Sequence, residues 1–125
     1  MKVADSSYLI EGLLRNASLL EHETFVSPDL ALYEVINTIW KHETLIKDAM
    51  DSWARISLFL ELVSAEKVQL VRPDRKLVAE TYALSRKHRM STYDLVFVAI
   101  AIELGLELKT YDAQQAAIMS KEKQT

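Results

Sequence analysis

Four carboxylates stand where short apolar runs end or helices begin. Asp5 follows Lys2–Ala4 and Asp94 opens the apolar run Leu95–Ile102. Asp112 follows Leu106–Lys109, and Glu34 lies in the second turn of the helix expected after Ser27-Pro28-Asp29. Taken singly, each has a structural use. Asp5 and Asp112 can cap helices, Ser91-x-x-Asp94 resembles a capping box with Asp in place of Glu, and Glu34 beside Asn37 and Lys41 can be a solvated helix edge. Gathered at one edge of a sheet, the four would do different chemistry. Unpaired carboxylates raise one another's pKa unless a divalent cation binds them. Hard oxygen donors without Cys or clustered His select Mg²⁺ or Mn²⁺. His22, His42 and His88 show no paired metal spacing and read as surface residues.

The elements that would gather these residues alternate between strand and helix. Lys2–Ala4 reads as a strand, and the stripe Tyr8, Leu9, Ile10, Leu13, Leu14 as a helix running to about Arg15. Asn16–Glu23 connects to a second strand at Thr24–Val26. Pro28 is expected just inside the next helix, which carries Leu32, Val35, Ile36, Ile39 and Trp40 on one face. From Leu45 to about Leu62 a long helix would place Leu45, Ala49, Trp53, Ile56 and Leu60 on one side, widened by Leu58, Phe59 and Leu62. That arc is broad for one core, and a surplus around Trp53, Ile56, Phe59 and Leu60 suggests an interface.

Val68–Val71 is the third strand, stopped by Pro73, and the helix after it ends in Arg86-Lys87-His88-Arg89. Ser91 or Thr92 caps the buried helix, and Gly105 ends it. Leu106–Lys109 then alternates as a fourth strand, with a last helix from about Asp112 to Met119 and a fraying tail at Ser120–Thr125. Strands separated by helices of this length call for one α/β domain over residues 1–125, a parallel sheet covered by helices on both faces. In such sheets ligands bind outside the carboxyl ends of the strands, where Asp5 and Asp112 fall and where Glu34 and Asp94 can face.

Bulk properties narrow the function classes. With 50% hydrophobic and 26% charged residues, the 125-residue chain is expected to be globular, not disordered or membrane-embedded. It contains no Cys, which suits a cytoplasmic protein, and MKVAD offers no signal-peptide core. Fifteen basic against eighteen acidic side chains leave a net charge of −3, so no overall basic field advertises nucleic acid. Residues 72–89 reverse the sign: Arg72, Arg75, Lys76, Arg86, Lys87 and Arg89 against Asp74 and Glu80 give 6 − 2 = +4. That block could contact RNA phosphates, or be a solvated helix with a dipole-matched end.

The segments VADSSYLIEGLL, LALYEVINTIWK and STYDLVFVAIAIELGLELKTYD, with the four acids in this order, resemble the PIN-domain family, particularly the small toxin ribonucleases of VapBC-type toxin–antitoxin pairs. The resemblance spans nearly the whole chain. It implies that Asp5, Glu34, Asp94 and Asp112 form an acidic Mg²⁺- or Mn²⁺-binding catalytic site. Thr110 matches the family's hydroxyl residue before the last aspartate, and Ser6 or Ser7 its small hydroxyl after the first. With Ser6, Thr110 and Asn37 as supporting side chains, the expected activity is a metal-dependent endoribonuclease. A homodimer and a small antitoxin covering the groove are implied as partners. Members commonly add a strand after the last helix, but Gln114–Thr125 lacks the alternation for one, so the sheet has four strands, or five if that segment pairs. The rival reading is a weakly active or inactive PIN-like module that works through protein partners. A phosphoryl-transfer enzyme using Asp5 as nucleophile fits less well, because the second aspartate such a pattern requires two positions on is Ser7 here.

Overall fold

The structure is a computed structural model that describes residues 1–47 and 51–124. Its strands are β1 (Lys2–Ala4), β2 (Phe25–Pro28), β3 (Val68–Val71) and β4 (Leu108–Lys109). Its helices are α1 (Ser6–Leu14), α2 (Leu30–Lys41), α3 (Ser52–Ser64), α4 (Arg75–His88), α5 (Thr92–Leu104) and α6 (Ala113–Lys123), with a 3₁₀ turn at Ala17–Leu20 and a π turn at His42–Ile46. The four described strands form one parallel sheet in the order β3-β2-β1-β4. From β1 the chain first builds outward to β2 and β3, then returns to place β4 on the other flank. The crevice between the ends of β1 and β4 is therefore the topological switch point, where open α/β sheets bind ligands.

Alternation along the short strands divides the core. Val3 and Val26 pack with Leu77, Leu84, Leu95, Val98 and Ile118, beneath α4, α5 and α6. Ala4, Phe25 and Val68 pack with Leu9, Leu13, Val35, Ile39 and Phe59, beneath α1, α2 and α3. Phe97 of α5 joins this second group, so α5 serves both. Leu95 and the run Phe97–Ala101 are buried, as a helix apolar all round requires, but Ile102 at its far end is 42% exposed. Two glycines have steric reasons. A Cβ at Gly12 would stand 2.5 Å from Leu20 Cγ, and Gly105 ends α5 at φ +65°.

Several boundaries differ from expectation. Pro28 is the last residue of β2 and lies outside α2; it pairs with Val71, and Asp29 N donates to Val71 O at 3.0 Å. A strand's last position tolerates Pro because the next N–H can continue the ladder. The helix expected from Leu45 begins instead at Ser52, capped by Asp51, whose side chain accepts from Ala54 N. Before it, α2 runs through the π turn to Lys47 in the left-handed region at φ 61°. Ala49 lies outside the described residues. Of the broad apolar arc, Phe59 is fully buried while Trp53 is 69% exposed. β4 is shorter than expected, and α6 continues through most of the tail expected to fray, to Lys123; Thr125 lies outside the described residues.

Candidate active site

Asp5 terminates β1 and caps α1 at once. Its backbone N–H donates to Lys109 O at 3.1 Å, which ties it to β4 across the switch point. The residue is only 2% exposed, yet its carboxylate is satisfied: Oδ1 accepts from Ser7 Oγ at 2.7 Å and Tyr8 N at 3.0 Å, and Oδ2 from Thr110 Oγ1 at 2.5 Å. Thr110 Oγ1 in turn accepts from Asp112 N at 2.8 Å, so one hydroxyl links the two aspartates. Asp112 caps α6, its Oδ1 accepting from Gln114 N and Gln115 N at 2.8 and 3.2 Å. Glu34 projects from the second turn of α2 and accepts from Ser6 Oγ at 2.7 Å.

Asp94 is in the first turn of α5. The cap there is Ser91, whose Oγ accepts from Tyr93 N at 3.0 Å, and Thr92 is the first helical residue. Capping is thus assigned to Ser91, and among the described residues the Asp94 side chain makes no hydrogen bond of its own. The start of α5 reaches the sheet's carboxyl edge, since Thr92, Tyr93 and Val96 line a cleft of about 350 Å³ with Pro28 and Val71.

Electrostatics shows that these groups sense one another. Burial pushes the Asp5 carboxyl up; hydrogen bonds from Thr110, Ser7 and the Tyr8 amide pull it down, and the charge of Asp112 pushes it up again, leaving it raised. Burial also raises Glu34, opposed by the Ser6 hydroxyl and reinforced by Asp94 and Asp5. Among the described residues no Lys, Arg or His forms an ion pair with any of the four. A carboxylate oxygen has two lone pairs. Asp5 Oδ1 and Asp112 Oδ1 therefore have both taken. One lone pair on Asp5 Oδ2, the second oxygens of Glu34 and Asp112, and both oxygens of Asp94 remain for a ligand.

This donor set fits a hard divalent cation in charge and atom type. The spacing is looser: among the described residues no three Asp, Glu or His side chains are grouped closely enough to hold a cation as they stand. The site supplies the charge and free oxygens of a cation site without its closed geometry.

The supporting residues divide. Ser6 and Thr110 do bond the carboxylates. Asn37 lines an open groove of about 600 Å³ with Tyr33, Glu34, Ile36 and Trp40 but makes no hydrogen bond to Glu34 among the described contacts. The basic block does not form one patch. Arg72, Arg75 and Lys76 follow β3 at the edge that carries the acids, while Arg86, Lys87 and Arg89 stand at the far end of α4, about 20 Å along a 14-residue helix. There Lys87 Nζ meets Glu122 at 2.9 Å, and Arg86 lies 5.9 Å from the Tyr82 ring centre. Two residues escaped sequence reasoning as parts of the site, and a third, Ser7, stood there only as the alternative to Ser6. Ser7 bonds Asp5 and accepts from Tyr111 N at 2.9 Å; the Tyr111 ring stacks on Tyr8; and Gln115, one turn past Asp112, is buried with its Oε1 unpartnered. The only sequence hint was proximity to an assigned aspartate.

Comparison with known proteins agrees with this fold. A family profile described as PIN domain matches residues 3–120. Ribonuclease VapC3 of Pyrobaculum aerophilum is 34% identical over 90 residues, which covers 70% of this chain and 66% of that protein, just under two thirds. The crystal structure of PAE2754, also from Pyrobaculum aerophilum, matches with a TM-score of 0.74 at 24% identity, covering 94% of this chain and 83% of that one. At that identity the likeness is one of fold.

Proposed function

The chain belongs to the PIN-domain family, and from that premise we propose that it is a divalent-metal-dependent endoribonuclease, the toxin of a toxin–antitoxin pair. What supports the reading is the run of electrostatic neighbours Asp112, Asp5, Glu34 and Asp94, none with a basic partner among the described residues, with Asp5 and Glu34 raised from their ordinary values. A relative whose name is that of a ribonuclease supports the substrate class. The cofactor is Mg²⁺ or Mn²⁺.

Asp94, with both oxygens free among the described contacts, the remaining lone pair of Asp5 Oδ2, and the second oxygens of Glu34 and Asp112 would hold the cation. Thr110 fixes Asp5 Oδ2 and, through its bond to Asp112 N, links two ligands; Ser6 fixes one oxygen of Glu34. When bound, a divalent ion supplies Lewis acidity that activates water and neutralises charge on a phosphodiester. Arg72, Arg75 and Lys76, which follow β3, would meet the strand's phosphates. Single-stranded RNA should be cleaved with Mn²⁺, stop being cleaved in EDTA, and lose at least about a hundredfold in rate with Asp94→Asn, a loss in the range for removing one group that stabilises charge in the transition state. Full activity in EDTA or in the variant rejects the mechanism.

A specific observation favours a second reading, a module that acts through partners. Trp40, Leu45, Ile46, Trp53 and Leu60 are 48%, 63%, 58%, 69% and 41% exposed, more large apolar surface than one stretch needs for its own core. The two readings are compatible if that surface binds a second copy of the chain or an antitoxin. Absence of Mn²⁺ binding in titration calorimetry would leave the module alone.

A further inference from the structure

We infer that Tyr111 is a fixed stacking platform for the RNA base adjoining the cleaved phosphodiester, an inference that rests on the ribonuclease reading above. Tyr111 stands between Thr110, which bonds Asp5, and Asp112 itself. Its backbone N–H donates to Ser7 Oγ at 2.9 Å, and that same hydroxyl donates to Asp5 Oδ1. One face of its ring is backed by Tyr8, with ring centres 5.7 Å apart and planes 15° from parallel, and Tyr8 is braced in turn by Phe25 at 5.5 Å. Tyr111 nevertheless remains 60% exposed. The residue is thus pinned by its backbone and by one face of its ring, is otherwise open to solvent, and stands in the chain between two residues of the acidic site.

An exposed tyrosine that merely filled space would not need this bracing. A ring already immobilised loses little entropy when a flat partner lands on it, which is the condition for tight stacking. Charge points to the same occupant. The four carboxylates repel a phosphate backbone, and of the basic block only Arg72, Arg75 and Lys76 stand at this edge. Beside the phosphate contacts of those three residues, affinity for the strand draws on a second source. Base stacking on an aromatic ring supplies it for any base, because every base has a π-face. Tyr111 acts on binding and register, and the carboxylates act on the bond.

The test is a coupling measurement on single-stranded RNA cleaved with Mn²⁺. Tyr111→Ala should raise KM about tenfold with kcat within about twofold, and Tyr111→Phe should behave as the parent protein. In the parent protein, an abasic nucleotide at one position flanking the cleaved bond should raise KM by a similar factor; in Tyr111→Ala the same abasic nucleotide should cost nothing further. Tyr111→Leu, which still covers Tyr8, repeats the measurement if Tyr111→Ala does not fold, and should show the same loss of coupling. A purely structural role would lower kcat and leave the abasic penalty intact. Additive penalties, or a Tyr111→Leu protein with the parent KM, overturn the platform while leaving the ribonuclease standing. A parent protein that cleaves no RNA overturns the ribonuclease reading and the platform with it.

Discussion

Asp5 and Glu34 are destabilised by the place they occupy, and that sets a pH-dependent expectation. Both are raised from their ordinary values, chiefly by burial. A carboxylate with a higher pKa folded than unfolded binds more protons in the native state, so its contribution favours folding as pH falls through that range and disfavours it above. At neutral pH without divalent cations, Glu34→Gln should therefore melt above the parent protein. The difference should shrink as pH falls through the interval between the unfolded and the raised folded value, where the parent's own carboxyl protonates. Melting curves of the two proteins across pH 3.5–8 in EDTA check this; a variant that melts lower throughout shows that the Ser6 bond outweighs the burial cost. At this scale the sequence is informative where a residue's neighbours in the chain determine its place. Asp5, Asp94 and Asp112 were legible because each sits at the join of an apolar run and a helix. The contact between Ser7 and Tyr111 was not, because it spans 104 residues and exists only once β4 lies beside β1.

Elements were legible in kind and blurred at their ends, and α1 shows why a packing constraint can hide in a helical stripe. Gly12 looks like a helix weakness of about 1 kcal/mol relative to Ala. In the fold its missing side chain is filled by Leu20, which is 4% exposed and cannot swing away. Gly12→Ala should lower stability on balance, since overpacking costs about 1–3 kcal/mol and outweighs the propensity gain in most of that range. In a Leu20→Ala background the same substitution should become neutral or stabilising, and a thermal double-mutant cycle reads the difference. Parallel loss in both backgrounds would place the strain elsewhere. The start of α3 was misread for a related reason. Leu45 and Ile46 continue an apolar spacing that suggests a helix face, yet they sit exposed in a π turn that closes on a left-handed Lys47. Periodicity reports a face wherever apolar residues recur, whether the core or some other surface covers them.

For the whole molecule, the question is what those exposed apolar residues meet. Two surfaces compete. One set is Trp40, Leu45, Ile46, Trp53 and Leu60, exposed on the end of α2, the π turn and α3; the other is the cleft of about 350 Å³ between α4 and α5, flanked by the exposed Val78, Tyr82 and Tyr93. A two-fold dimer buries the same patch on both copies, and a few central aromatic anchors supply most of its energy. Trp53, at 69% exposure on a helix, has the size and presentation of such an anchor without contributing to its own core. Light scattering at tens of micromolar should then give twice the 14.3 kDa chain mass. Trp53→Glu should return it to one chain mass with its melting temperature within about 2 °C of the parent's, as expected of a substitution away from the core, while Tyr82→Glu leaves the dimer intact. The opposite pattern would assign the dimer to the α4–α5 cleft and leave the Trp53 surface for a different protein. A parent chain that stays monomeric would remove the dimer altogether.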